Sequence, residues 1–157
     1  MASNDPLPSA FSIQPAAPQH AEPIRQLIEQ ADLFQHGLDW HNFLVALTPS
    51  GEFIGCGQVK QHQDGTWELA SIAVQPSWQG QGVGRAIIEA LLARHTGELY
   101  LMSISALKPL YEKFGFVEIE REHMTKYFRR LTQMPAMIAE FERVDERIMV
   151  MRREGYA

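Results

Sequence analysis

Three glycines, Gly80, Gly82 and Gly84, follow an apolar run that ends in Ile72, Ala73 and Val74. Pro76 stops the run, and Val83, Ile87 and Leu91 then recur at helical spacing. Residues 68–92 therefore read as strand, glycine turn and helix, because glycine lets a backbone turn where a Cβ would obstruct it. The first turn of such a helix has N–H groups without internal partners and carries roughly half a positive charge. A phosphate or pyrophosphate is the ligand it suits best.

Spacing separates the glycine motifs that bind phosphates. A dinucleotide fingerprint needs Gly-x-Gly-x-x-Gly, but counting from Gly80 or Gly82 places Arg85 or Ile87 where the third glycine belongs. A triphosphate loop ends in Gly-Lys-Ser/Thr, and the chain has no Lys-Ser or Lys-Thr pair. What remains is Val74-x-Pro76-x-x-Gln79-Gly80-x-Gly82-x-Gly84. It closely resembles the acetyl-CoA signature of the GCN5-related N-acetyltransferases (GNAT family), Gln/Arg-x-x-Gly-x-Gly/Ala. The resemblance implies that Gln79, Gly80, Gln81, Gly82, Val83, Gly84 and Arg85 surround the CoA pyrophosphate, largely through backbone N–H. It also implies that Ile72, Ala73 and Val74 run along the pantetheine. The competing reading is an ordinary turn between a strand and a helix.

Composition limits the remaining function classes. At 157 residues and 45% hydrophobic content, one domain with one core is expected over residues 11–157, behind a flexible segment at 1–10 rich in Pro, Ser and Asp. A formal charge of −5 argues against nucleic-acid and anionic-membrane partners and suits a soluble small-molecule enzyme. The single cysteine, Cys56, excludes an internal disulfide, points to a cytoplasmic protein and reads as a small buried strand residue. No stretch has the pattern of an export signal or the apolar length of a membrane helix.

Along the chain, Phe11-Ser-Ile-Gln alternates as a first strand, and Ile24, Leu27 and Ile28 form the stripe of a helix reaching about Ala31. Residues 32–41 read as a short helix or a loop over the substrate. Two strands at 42–47 and 52–60 precede an Asp64-Gly65 turn into the central strand, which makes three antiparallel strands. After the glycine-led helix, Leu99-Tyr-Leu-Met-Ser-Ile supplies a parallel strand, residues 106–114 a short helix stopped by Gly115, and Phe116-Val-Glu-Ile another strand. Residues 121–146 form a helical insert, with Leu131, Met134, Ile138 and Phe141 at partial helical spacing and a division near Pro135. A final strand follows at 147–152. The expected class is mixed α/β, with a GNAT-like sheet of about seven strands flanked by helices. The pattern resembles the family from about Phe11 to Phe116 and at the last strand. It departs in the insert, and at the position before the second short helix, where many members carry Asn and this chain has Ile104 and Ser105. Apolar residues of the insert and last strand offer a face for a homodimer.

Acetyl transfer to an amine needs a neutral nucleophile, a donor for the developing oxyanion and a proton for the thiolate. The resemblance makes Glu68, four residues before Ile72, the base that takes the ammonium proton, usually through water; alternation alone would make it a solvent-facing strand carboxylate. Tyr111, in Leu-Tyr-Glu-Lys-Phe-Gly-Phe, resembles the family tyrosine that protonates the CoA sulfur, and otherwise reads as a packing aromatic. The resemblance also implies that the oxyanion goes mainly to backbone N–H on the central strand near Val74. No metal is expected, since the six histidines show no ligand pairing and read as surface or capping residues. Ser71, Ser103 and Ser105 lack the context of a hydrolase nucleophile. Arg129 and Arg130, with His123 and Lys126, suit an acidic acceptor or a solvated helix face. The functional expectation is an acetyl-CoA-dependent N-acetyltransferase acting on a primary amine of an amino acid or related metabolite. Peptide or protein N-terminal acetylation and a non-catalytic acyl-CoA-binding module are the alternatives.

Overall fold

The computed structural model describes residues 10–143 and 146–155, apart from the Phe141 side chain. The segment expected to be flexible, except Ala10, and the Phe141 member of the insert's stripe fall outside that range.

Seven strands form one mixed sheet: β1 (Ser12–Pro15), β2 (Phe43–Leu47), β3 (Phe53–Gln61), β4 (Trp67–Val74), β5 (Leu99–Ile104), β6 (Val117–Ile119) and β7 (Ile148–Arg153). Their spatial order is β1-β2-β3-β4-β5-β7-β6, so the last strand inserts between the fifth and sixth. The helices are α1 (Ala21–Gln30), α2 (Val83–Arg94), α3 (Lys108–Glu112), α4 (Lys126–Leu131) and α5 (Pro135–Arg143). Pro135 opens α5, where a missing N–H removes no helical bond. No helix among the described residues is long and apolar enough to cross a membrane.

The chain divides into two compact units, Met1–Gly57 with Ser71–Leu91 and Gln58–Ala70 with Leu92–Ala157. In the first, β1 pairs antiparallel with β2 from Ser12 opposite Leu47 to Pro15 opposite Leu44. The α1 stripe of Ile24, Leu27 and Ile28 packs with Phe43, Val45, Leu47, Cys56 and Ala73 into one core. Cys56 is fully buried, as its strand position suggested. Helix α2 approaches the sheet where β3 has no side chains. A Cβ at Gly57 would lie 2.6 Å from Ile72 Cδ1 and 2.8 Å from Ile87 Cγ2, and one at Gly55 would lie 3.1 Å from the Ala73 carbonyl oxygen.

In the second unit, β4 pairs parallel with β5, Glu68 opposite Tyr100. β7 pairs antiparallel with β5 over six positions, Leu99 opposite Arg153 to Ile104 opposite Ile148, and with β6 over three. Tyr100 and Val150 from the sheet meet Phe128 and Leu131 of α4 and Met137 of α5, so the insert completes this core.

Candidate active site

In the first unit the glycine motif forms an open cradle. After a 3-10 turn at Pro76–Trp78, Gly80 (φ 78°) and Gly82 (φ 84°) adopt the left-handed conformation that side-chain-bearing residues avoid. The first α2 bond runs from the Ala86 N–H to the Gly82 carbonyl at 3.0 Å, so the amides of Val83, Gly84 and Arg85 have no acceptor within the helix. A Cβ built at Gly80 or Gly82 would meet nothing within 4 Å. The Gln79 and Gln81 side chains turn back onto the loop, donating to the Val74 carbonyl (3.3 Å) and the Ser77 carbonyl (3.2 Å), while Arg85 pairs with Glu89 at 2.9 Å. What the cradle presents is therefore backbone amide and space, which fits a pyrophosphate. Ala73 is buried, and Ile72 and Val74 beside it are half-buried.

Ser71, just before these residues, has φ 61° in the middle of β4, a conformation that costs a non-glycine residue about 1–2 kcal/mol. Its carbonyl accepts from the Cys56 thiol at 3.7 Å. Burial pushes the Cys56 thiol up to about 12, so it stays protonated and keeps donating. Such strain is characteristic of functional strands.

The second unit holds both proton-transfer candidates. Glu68 is buried, only 6% exposed, which corrects the solvent-facing alternative: its neighbour Leu69, on the opposite face of the strand, is buried as well, so strand alternation does not send Glu68 to water. Its Oε1 lies 2.8 Å from Nε2 of His62 and 4.0 Å from the Lys60 ammonium. His62 is thus neither a surface nor a capping residue, contrary to expectation. The Tyr127 ring of α4 stacks on it at 3.5 Å and 12°. Asp64 in the β3–β4 turn accepts the Tyr127 N–H at 2.9 Å and the Thr66 N–H at 3.0 Å, tying the insert to the hairpin. Burial opposes the Asp64 charge, but the hydrogen bonds from Thr66 and Tyr127 outweigh it and hold its carboxyl below the usual range. Tyr127 is pushed well above an ordinary phenol by burial and by the Glu68 and Asp64 charges.

Tyr111 sits in α3, 8% exposed, edge-on to Phe116 with ring centroids 6.1 Å apart. Burial raises its pKa, so the phenol is protonated at neutral pH. Ser105, at the position where a family asparagine was expected, donates to Glu146 at 3.1 Å. The two insert arginines differ. Arg129 donates to the carbonyls of Arg121 (3.3 Å) and Glu122 (2.8 Å) and so braces the chain, whereas Arg130 lines a pocket of about 590 Å³ with His62, Asp64, Lys126, Tyr127 and Met134.

Sequence reasoning missed the partners of Glu68, and one signal was present. The His62 N–H donates to the Thr66 carbonyl at 2.8 Å, closing the hairpin around Asp64-Gly65. Counting outward from that pair sets Lys60 opposite Glu68 and His62 diagonal to it on the same face.

Comparison with known proteins identifies the family and the fold. The family model described as "Acetyltransferase (GNAT) domain" matches residues 39–118. An amino-acid acetyltransferase of Mycobacterium tuberculosis is 32% identical over 88 residues, 53% of this chain and 50% of that protein. The chain spans half or less of the length of the curated relatives it matches. Among solved structures, Rv2747 from Mycobacterium tuberculosis in complex with CoA and NLQ superposes with a TM-score of 0.69 at 21% identity, over 92% of this chain and 99% of the other. N-acetylglutamate synthase from Neisseria gonorrhoeae, complexed with coenzyme A and N-acetyl-glutamate, gives 0.68 at 15% identity, over 95% of this chain and 36% of the other. These likenesses show the fold.

Proposed function

We propose that this chain, which belongs to the GNAT acetyltransferase family, transfers the acetyl group of acetyl-CoA to a primary amine of a small molecule, an amino acid or a related metabolite. The observation that carries the proposal is the turn at residues 79–85, where two left-handed glycines open onto helix amides with no acceptor in α2. The acceptor class is supported by the name of the Mycobacterium tuberculosis relative, an amino-acid acetyltransferase.

Bound acetyl-CoA supplies the thioester acetyl. The amides of residues 80–85, with Gln79, would hold its pyrophosphate, and Ile72, Ala73 and Val74 would line its pantetheine. Glu68 accepts a proton from the ammonium form of the acceptor, because nitrogen attacks only with a free lone pair. Burial among His62 and Lys60 orients its carboxylate. Tyr111, kept protonated by burial, gives its proton to the departing sulfur. The backbone N–H near Val74 stabilises the carbonyl oxygen as it gains charge.

The test is release of free CoA thiol from acetyl-CoA across a panel of free amino acids, other primary amines and short peptides. Turnover on free amino acids or similar metabolites is expected. Turnover on peptides alone would replace the acceptor class, and CoA binding without release on any amine would leave a binding module in place of an enzyme.

A further inference from the structure

We propose that His62 is a positioning and relay residue that carries the proton from Glu68 to solvent. The inference rests on the acetyltransferase reading and begins from its stoichiometry. At neutral pH an alkylammonium acceptor loses two protons on becoming an amide; one ends on the CoA thiol and the other must leave the protein. The first accounts for Tyr111. The second is delivered to Glu68, which at 6% exposure has almost no water of its own.

The only imidazole placed on this carboxylate among the described residues is His62, with Nε2 at 2.8 Å from Oε1. His62 also lines the pocket shared with Gln63, Asp64, Lys126 and Arg130, which opens to solvent. One ring nitrogen therefore touches the buried acid while the side chain borders water. The step balances simply. The ammonium N–H bond breaks as an O–H bond forms on Glu68. That proton then passes from Oε1 to an unprotonated Nε2, and the imidazolium releases its Nδ1 proton to water or buffer; exchange with solvent then returns the ring to the Nδ1-protonated tautomer, which resets the relay. Imidazole suits this because its charge changes near neutrality and its two nitrogens can be protonated from one side and deprotonated from the other.

The surroundings hold the ring in place for transfer. Tyr127 of α4 stacks on it, and the Tyr127 amide is itself anchored by Asp64. The charged and titratable groups around the pair are Lys60 from β3, Asp64 from the turn, Glu68 from β4, and Lys126, Tyr127 and Arg130 from α4. Lys60, 4.0 Å from Glu68 Oε1, offsets the carboxylate charge in the resting state. The insert, whose role the sequence left open, thereby acts on the chemistry through His62.

The test compares pH–rate profiles of the whole chain, wild type, Glu68→Gln, His62→Gln and His62→Ala, with an amine that the wild type turns over. His62→Gln keeps a hydrogen-bonding group beside Glu68 but cannot carry the proton. We expect it to lose about 10-fold or more in kcat at low pH, with acetyl-CoA affinity unchanged and the loss shrinking as pH rises. His62→Ala should regain rate with added small buffers, in proportion to buffer basicity rather than shape, whereas Glu68→Gln should not. A wild-type profile in His62→Gln, or a His62→Ala defect that no buffer restores, would overturn the relay while leaving the acetyltransferase reading intact. If Glu68→Gln itself keeps the wild-type profile, the base assignment fails first and the relay falls with it.

Discussion

Replacing Gly82 by Asp and by Asn separates the electrostatics of the cradle from its backbone geometry. Gly82 has φ 84°, and a Cβ there would meet no heavy atom within 4 Å, so either side chain is accommodated sterically. The cost to folding is confined to the left-handed conformation, at most about 1–2 kcal/mol and less for Asn and Asp, which visit that region more readily than other side chains. For a chain of this size, 1 kcal/mol corresponds to roughly 2–4 °C in Tm, so both variants should melt within several degrees of wild type. Asp and Asn have nearly the same size and backbone preference, and the difference between them isolates one negative charge. Two like charges about 5 Å apart at an effective dielectric of about 20 repel by about 3 kcal/mol. That is roughly a 100-fold loss in affinity. Calorimetric titration with acetyl-CoA should therefore show Asn binding modestly weaker than wild type and Asp about two orders of magnitude weaker than Asn, with the gap narrowing at high salt. Equal affinity for the two variants would refute the pyrophosphate assignment, because no anion would then lie beside Gly82.

Further outcomes follow from other parts of the structure. Tyr111→Phe should keep the wild-type Tm and CoA affinity but lower kcat by on the order of 10²-fold, with Tyr111→Ala losing stability as well; full activity in the phenylalanine variant would make Tyr111 a packing residue only. Gly57→Ala should cost about 1–3 kcal/mol, since its methyl would crowd Ile72 and Ile87, while Gly84→Ala, whose methyl would lie 3.5 Å from Val74 Cγ2, should be neutral or stabilising because alanine favours a helix; thermal melts of the pair decide it. Asp64 has a lowered folded pKa, so the stability it adds is present above the ordinary carboxylate value of about 3.9 and is lost as pH falls through its lower folded value. Hydrogen exchange at the Tyr127 amide should accelerate in that acid range and, at neutral pH, in Asp64→Ala, with α2 amides unchanged. Arg129→Ala should lower Tm without altering acceptor KM, whereas Arg130→Ala should raise KM for an acidic acceptor; the reverse assignment would show that the carbonyls of Arg121 and Glu122 are not what Arg129 serves.

The strand, turn and helix around Gly80, Gly82 and Gly84 were legible because each depends on local chemistry: an apolar run, a proline stop, residues that tolerate positive φ, and a helical stripe. The break in the insert at Pro135 was legible for the same reason. The position of β7 between β5 and β6 was not, because that pairing joins residues such as Met102 and Val150 that lie far apart in the chain, and alternation says nothing about which strand comes next to which. The environment of Glu68 was misread at the level of faces. A carboxylate in a strand looks solvent-facing until its burial beside His62 is known, and His62 looks ordinary until the hairpin register places it beside that carboxylate. Arg129 and Arg130 are neighbours of identical type, and only folding distinguishes the one that holds backbone carbonyls from the one that lines a pocket.

The two glycines of β3 change how genetic variation in this chain should be interpreted. Neither Gly55 nor Gly57 belongs to the acetyl-CoA motif, yet the space each leaves is occupied by α2 side chains, Val83 and Ile87 against the first and Ile87 and Leu91 against the second. Even the smallest substitution there pushes on the helix whose first amides form the cradle. A missense allele at either codon should therefore lower stability and acetyl-CoA affinity together, although a map of ligand-contacting positions would class it as benign.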